Sequence, residues 1–186
     1  MKPKNTINFL IDESASMRGA EIESARQIAM QILREANSRD LRNQERTSCN
    51  FWSFSDEPCL IGLNISPGDL FALPLKCRGG SMLGLALKEV LTTCEETINQ
   101  LRTSGKLKKN QTLSLSTIII SDMKPSDSWL EIANQLAKLG KLSLIKTNGK
   151  PSDSFNSKEI NLVFQGIYNG QNLSHPDITK ILNNND

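Results

Sequence analysis

The sequence predicts an α/β fold: a mostly parallel central sheet, one short antiparallel edge strand, and helices on both faces. Three observations carry this expectation. Short apolar runs alternate with longer segments whose apolar residues recur at helical spacing. Two of the apolar runs end in a carboxylate, at Asp12 and Asp122. One pair of runs is joined by the tight link Ser55-Asp56-Glu57-Pro58, which sends the second run back antiparallel to the first.

Thr6 to Ile11 reads as a short buried strand. From about Ala20 to Ala36, Ile22, Ala25, Ile28, Ala29, Ile32 and Leu33 share one helical face. Arg46 to Phe54 reads as a second strand, with Cys49, Phe51 and Ser53 on one face and Trp52 and Phe54 on the other. Cys59 to Ile65 is the antiparallel strand, and Pro67-Gly68-Asp69 breaks the chain after it. Gly79-Gly80 opens a helix from about Met82 to Leu101, with Leu83, Leu87, Val90, Leu91, Cys94 and Ile98 facing inward.

The basic segment Gly105 to Asn110, with Lys106, Lys108 and Lys109, reads as a solvated loop rather than a nucleic-acid patch. Leu113 to Ile120 is a strongly apolar strand closed by Ser121-Asp122. Ser126 or Ser128 can cap a helix running to Leu139, and Leu142 to Lys146 is a further strand. Beyond Asn148 the periodicity fades. There Ile160 to Phe164 reads as a final strand, Ile178 to Leu182 as a short helix, and Asn183 to Asp186 as a disordered tail. Without repeats or a linker, residues 1–186 read as one domain, with a core from about 6 to 147.

Composition narrows the function. Of 186 residues 38% are hydrophobic and 23% charged, and the net charge is only +2, so bulk charge indicates no nucleic-acid partner. No apolar run reaches the ~18 residues that a membrane span needs. Ile7 to Ile11 is too short for a secretion signal, so the expected location is the cytoplasm. Four cysteines without Cys-x-x-Cys spacing and a single histidine, His175, argue against zinc. The thiols are expected to be reduced and mostly buried. Trp52 and Trp129 are expected in or near the core, and His175 on the surface.

In a mostly parallel sheet, ligands gather outside the carboxyl ends of the strands. Asp12 and Asp122 both lie there, and three segments converge on them. The first is Asn8-Phe-Leu-Ile-Asp-Glu-Ser-Ala-Ser-Met17, the second Cys77-Arg-Gly-Gly-Ser81-Met-Leu-Gly84, and the third Ile120-Ser-Asp122-Met-Lys-Pro-Ser-Asp127. In an extended segment, alternation sends the oxygens of Asp12, Ser14 and Ser16 to one side. Ser81 can add a fourth from across the cleft, and Asp122 can bind a metal directly or through water. Such hard oxygen donors suit Mg²⁺ or Mn²⁺. Arg18 and Arg78 sit near these loops, where they either favour an acidic ligand or pair with Glu13 or Glu21.

The order of these elements resembles the von Willebrand factor A (VWA) domain: an apolar strand, Asp-x-Ser-x-Ser, a helix, Gly-Gly-Ser opening a later helix, then an apolar strand ending in Asp. Phe51-Trp-Ser-Phe54-Ser-Asp56 is similar to that family's second strand. The resemblance runs from about Thr6 to Lys146. It implies a Rossmann-like fold and a metal-ion-dependent adhesion site (MIDAS) in an intracellular, bacterial-type protein. Asp12, Ser14, Ser16, Ser81 and Asp122 would hold Mg²⁺ there, and a partner protein's Asp or Glu would complete its coordination. Ala15 and Met123 stand where the family often has Gly, and Met123 is expected either to narrow the mouth of the site or to offer an apolar contact.

Two other functions use the same residues. A Mg²⁺-dependent phosphohydrolase of haloacid dehalogenase-like type would need a second Asp two residues after Asp12, where this chain has Ser14. A metal-free VWA scaffold would bind partners through other surfaces. A Ser-His-Asp hydrolase lacks a Gly-x-Ser-x-Gly elbow. The leading expectation is a non-enzymatic interaction module.

Overall fold

A computed structural model describes residues 5–44, 46–67, 74–108, 113–147 and 157–183. Six strands form one sheet in the order β3-β2-β1-β4-β5-β6. They are β1 (Asn5–Asp12), β2 (Thr47–Phe54), β3 (Pro58–Ile65), β4 (Ser114–Ser121), β5 (Lys141–Lys146) and β6 (Gly166–Asn169). All pairings are parallel except β2 with β3, so the expected antiparallel strand lies at one edge. It has eight residues, as many as β2, and is not the short strand expected. Register shifts break its pairing between Cys49 and Trp52, which makes this edge irregular.

The helices are α1 (Ala20–Asn43), α2 (Leu83–Thr103), α3 (Leu130–Leu139), α4 (Ser157–Val163) and α5 (His175–Leu182). Alternation along β1 explains the two layers. Ile7, Phe9 and Ile11 bury against α1 and α5, in a cluster with Ile22, Ile28, Ile32, Ile178 and Ile181. Leu10 faces the opposite cluster, built from α2, α3 and α4 through Leu83, Leu87, Val90, Leu136 and Ile160. Phe9 stacks on Phe51 of the neighbouring strand with ring centroids 4.7 Å apart. Trp52 is buried, and Trp129 packs its ring against Phe164.

Several expectations need correction. Ile160 to Phe164 is not a strand: residues 157–163 are helical, and β6 follows at Gly166–Asn169. Helical spacing places Ile160, Val163 and Phe164 in the core and leaves Leu162 83% exposed, which a strand could not do. α1 runs to Asn43 rather than Ala36. Its last two turns are polar apart from exposed Leu41, tied by Arg42 to Glu35 and by Asp40, which accepts both the N–H and the hydroxyl of Thr47 at 2.7 Å. Neither Ser126 nor Ser128 caps α3; Trp129 precedes it with no side-chain cap. The helix at Ile178–Leu182 begins earlier, at His175, behind a Ser174–Asp177 capping box. His175 is exposed beside Glu35.

The thiols are only partly as expected. Cys49 and Cys94 are buried, but Cys77 is half-buried and Cys59 exposed. Lys106 and Lys108 are exposed; Lys109, Gly68, Asp69, Asn148 and Asn184 to Asp186 lie outside the described residues. No helix among the described residues is long and apolar enough to cross a membrane.

Burial pushes the Cys49 thiol up to about 12 and the Cys94 thiol up to about 11. A maleimide chase on native protein is therefore expected to label Cys59 first, with Cys49 and Cys94 reacting only after unfolding. Mass mapping of labelled peptides checks this order; early labelling of Cys94 would show that the α2 face opens locally.

Candidate metal centre

β1 lies between β2 and β4, and the sheet's strand order reverses there. The chain leaves β1 for α1 on one face, while β4 leads to α3 on the other. In sheets of this kind that switch point, outside the carboxyl ends of both strands, is where ligands bind. Asp12 closes β1, and Asp122 directly follows β4.

Asp12 is fully buried. Its Oδ1 accepts the N–H of Ser14 at 2.8 Å, which turns the chain sharply after the strand. Its Oδ2 accepts the hydroxyl of Ser121 at 2.6 Å and that of Ser81 at 3.1 Å. Ser14 Oγ lies 3.1 Å from Ser16 Oγ. The segment is not extended throughout, as the alternation had suggested: Ala15–Met17 forms a 3₁₀ turn. The two serines meet because that turn folds Ser16 back toward Ser14. Ser14 is buried and Ser16 exposed.

Asp122 is also buried; one of its oxygens, Oδ2, takes the Lys124 ammonium at 2.6 Å, and the other, Oδ1, is buried without a hydrogen-bond partner. Burial pushes the Asp12 carboxyl above its usual range, and the negative charge of Asp122 adds to this. Hydrogen bonds from Ser121 and Ser14 oppose the shift. Hydrogen bonds thus join Asp12 to Ser14 and Ser81, Ser16 reaches Ser14 from the solvent side, and Asp122 lies near enough for its charge to act on Asp12.

Ser121 belongs to the same cluster and was not singled out by sequence reasoning. Its hydroxyl also accepts the N–H of Met123 at 2.8 Å. The signal was its register: Ile11 pairs with Ile120, so Ser121 stands beside Asp12. Met123 does not line the mouth of the site. It takes a left-handed conformation (φ 59°), and its side chain is buried with Leu10 and Leu83. The left-handed backbone explains why Gly suits this place.

The loops are locked by one another. Ala15 donates to Gly79 O at 3.0 Å and Arg78 to Glu13 O at 2.9 Å, while Glu13 Oε2 accepts Lys76 N–H at 2.8 Å. No ion pair joins Arg18 or Arg78 to Glu13 or Glu21 among the described residues, and both arginines are exposed. Gly79 has φ 65°, and a Cβ there would lie 2.0 Å from Asp56 Oδ2. That closeness lets Asp56 accept Gly80 N–H at 2.7 Å. Ser126 N–H reaches Ser81 O at 2.7 Å. Asp127 accepts the N–H groups of Gly84 and Leu85 at 2.9 and 3.0 Å, so it caps α2 from the third loop. A Cβ on Gly84 would meet Ser128 O at 2.2 Å.

The donor set fits a hard divalent cation. It comprises two carboxylates and three hydroxyls, and the buried, unpartnered Oδ1 of Asp122 calls for a positive neighbour. Among the described residues no three histidine, cysteine, aspartate or glutamate side chains cluster, so hydroxyls make up most of the donors here.

Removing the Asp127 cap by Asp127→Ala is expected to cost about 1–2 kcal/mol, because two N–H groups at the start of α2 lose their partner. Denaturant unfolding measures it. A loss below about 0.3 kcal/mol would mean that water caps α2 equally well.

No protein-family model matches the sequence, and no curated protein matches it either. Solved structures do. A von Willebrand factor type A protein from Catenulispora acidiphila superposes with a TM-score of 0.63 at 10% identity, over 96% of this chain and 42% of that one. Proximal thread matrix protein 1 from the mussel byssus, in a form with a zinc-occupied MIDAS motif, gives 0.58 at 12% identity, over 96% of this chain and 44% of that one. An aerotolerance-related membrane protein from Bacteroides fragilis, carrying multiple mutations to serines, gives 0.56 at 12% identity, over 95% and 96% of the two chains. The chain therefore spans less than half of two of these proteins and nearly all of the third. The six-stranded, mostly parallel sheet with flanking helices is the Rossmann-like α/β fold of VWA-type domains.

Proposed function

We propose that this protein is a metal-dependent protein-interaction module of the cytoplasm, and not an enzyme. Asp12, Ser14, Ser16, Ser81 and Asp122 would hold Mg²⁺, with Mn²⁺ as a substitute, and a partner protein would present an Asp or Glu to the ion. The observation that carries this reading is the pairing of two buried carboxylates, one with an unpartnered oxygen, among hydroxyls at the switch point of the sheet. The likeness to a protein with an occupied MIDAS supports it. When bound, the ion supplies positive charge and an open coordination position for an acidic group.

The protein's own part is positional. Asp12 is held by Ser14 N–H, Ser121 and Ser81, so its carboxylate cannot turn away. The third loop fixes Ser81 through Ser126. Ser16, Arg18 and Arg78 are exposed on or next to the loops that carry the site, and the two positive charges favour an anionic partner. A phosphohydrolase of the haloacid dehalogenase-like type would need an acid–base group two residues after Asp12, and Ser14 stands there.

Thermal melts with Mg²⁺ or Mn²⁺ against chelator test the site. At about 100 times Kd the ion is expected to stabilise the fold by about 2.7 kcal/mol, a rise in Tm of about 5–10 °C for this size. Asp12→Ala should abolish the rise and Ser81→Ala reduce it; an undiminished rise in Asp12→Ala would overturn the assignment. Turnover of generic phosphate esters, lost in Asp12→Asn, would replace the module by a phosphohydrolase.

A further inference from the structure

We propose that the Lys124 ammonium is a tethered cation that competes with the divalent ion for Asp122, so that metal binding requires its displacement. This rests on the metal reading above and adds a residue that sets the affinity of the site. Three observations carry it. Lys124 reaches in from solvent: its side chain is 52% exposed, yet its Nζ lies 2.6 Å from Oδ2 of an Asp122 side chain with no exposure at all. The other oxygen of Asp122, Oδ1, is buried without a hydrogen-bond partner, so the ammonium offsets the carboxylate from one side. Finally, Glu21 has a buried Oε2 without a hydrogen-bond partner.

The chemistry follows from like charge. An ammonium and a divalent cation held by one buried carboxylate repel each other at short range in a poorly screened site. The ion can approach the open Oδ1 only against that repulsion, which falls when the lysine, on its flexible four-carbon stem, swings away. Glu21 gives it somewhere to go. Its unpartnered oxygen can take the released ammonium, which lowers the cost of leaving Asp122. Before the metal arrives, Lys124 offsets the charge of Asp122.

Calorimetric titration of wild type, Lys124→Met and Lys124→Arg with Mg²⁺ and Mn²⁺ tests this. Lys124→Met keeps the apolar stem and loses the charge. It is expected to bind the ion roughly three- to tenfold more tightly, a charge-assisted contact discounted for exposure. Lys124→Arg, which keeps the charge, should stay near wild type. Glu21→Gln should weaken binding in wild type and do so less in the Lys124→Met background, a coupling that a double-mutant cycle reads. Equal or weaker affinity in Lys124→Met, or equal tightening in Lys124→Arg, would overturn the proposal while leaving the site in place. Failure of all variants and wild type to bind either ion would overturn the metal reading too.

Discussion

The structure turns on two carboxylates buried side by side at the end of a sheet. Asp12 and Asp122 both lie out of water, and burial first, then the charge of Asp122, raises the cost of charging Asp12. A fold does not keep such a pair without compensation. Asp12 is compensated by three hydrogen bonds from Ser14, Ser81 and Ser121. Asp122 receives only the lysine on one oxygen and nothing on the other. The imbalance is local and directional: negative potential is left at the one point where the three loops meet. Hydrophobic packing cannot relieve it, but a cation with several oxygen positions can.

Keeping that point in place is a backbone problem, solved by contacts between loops rather than within them. The first loop is bonded to the second by Ala15–Gly79 and Arg78–Glu13. The second is held by the third through Ser81–Ser126 and the capping of α2 by Asp127. The turn after β2 enters through Asp56 and Ser55. Small residues are required where these strands of chain nearly touch, at Gly79 and Gly84. The hydroxyls therefore sit on a platform whose geometry is set from four directions, as precise placement of ligands requires.

Much of this was legible because it depends on local pattern. The strands of the core announce themselves by apolar runs, and α1 and α2 by helical spacing of residues such as Ile28, Ile32, Leu87 and Val90. That Asp12 and Asp122 come to one edge of the sheet was legible because each follows an apolar run that reads as a parallel strand. What was not legible depends on contacts distant in sequence. Asp127 looks like a residue of its own loop, yet it caps a helix that begins 44 residues earlier, at Leu83. Ser121 gains its role only from the pairing of β4 with β1. The run Ile160-Asn-Leu-Val-Phe164 has the composition of a strand, and only its packing against the α2–α3 face selects the helix. Of the two places open to Met123, its apolar contact is with the core, beside Leu10 and Leu83, from a left-handed backbone that the sequence does not announce.

The platform is carried further down by a buried polar layer in the same sheet. Asn8, on the α2 side of β1, accepts from Asn50 at 2.9 Å and donates toward Cys94 and Thr117. Asn50 in turn accepts the N–H of Asn64 at 2.8 Å, next to the irregularity of β3. These bonds tie β2, β1, β4 and α2 in one layer, two pleats below Asp12. A slip of β1 by one residue would leave Asn8 facing the α1 side without partners and turn Asp12 out of the site. The register that stabilises the middle of the sheet is thus the register that aims the carboxylate at its end. Because buried asparagines tolerate few alternatives, the site inherits its precision from the core and not from the loops alone.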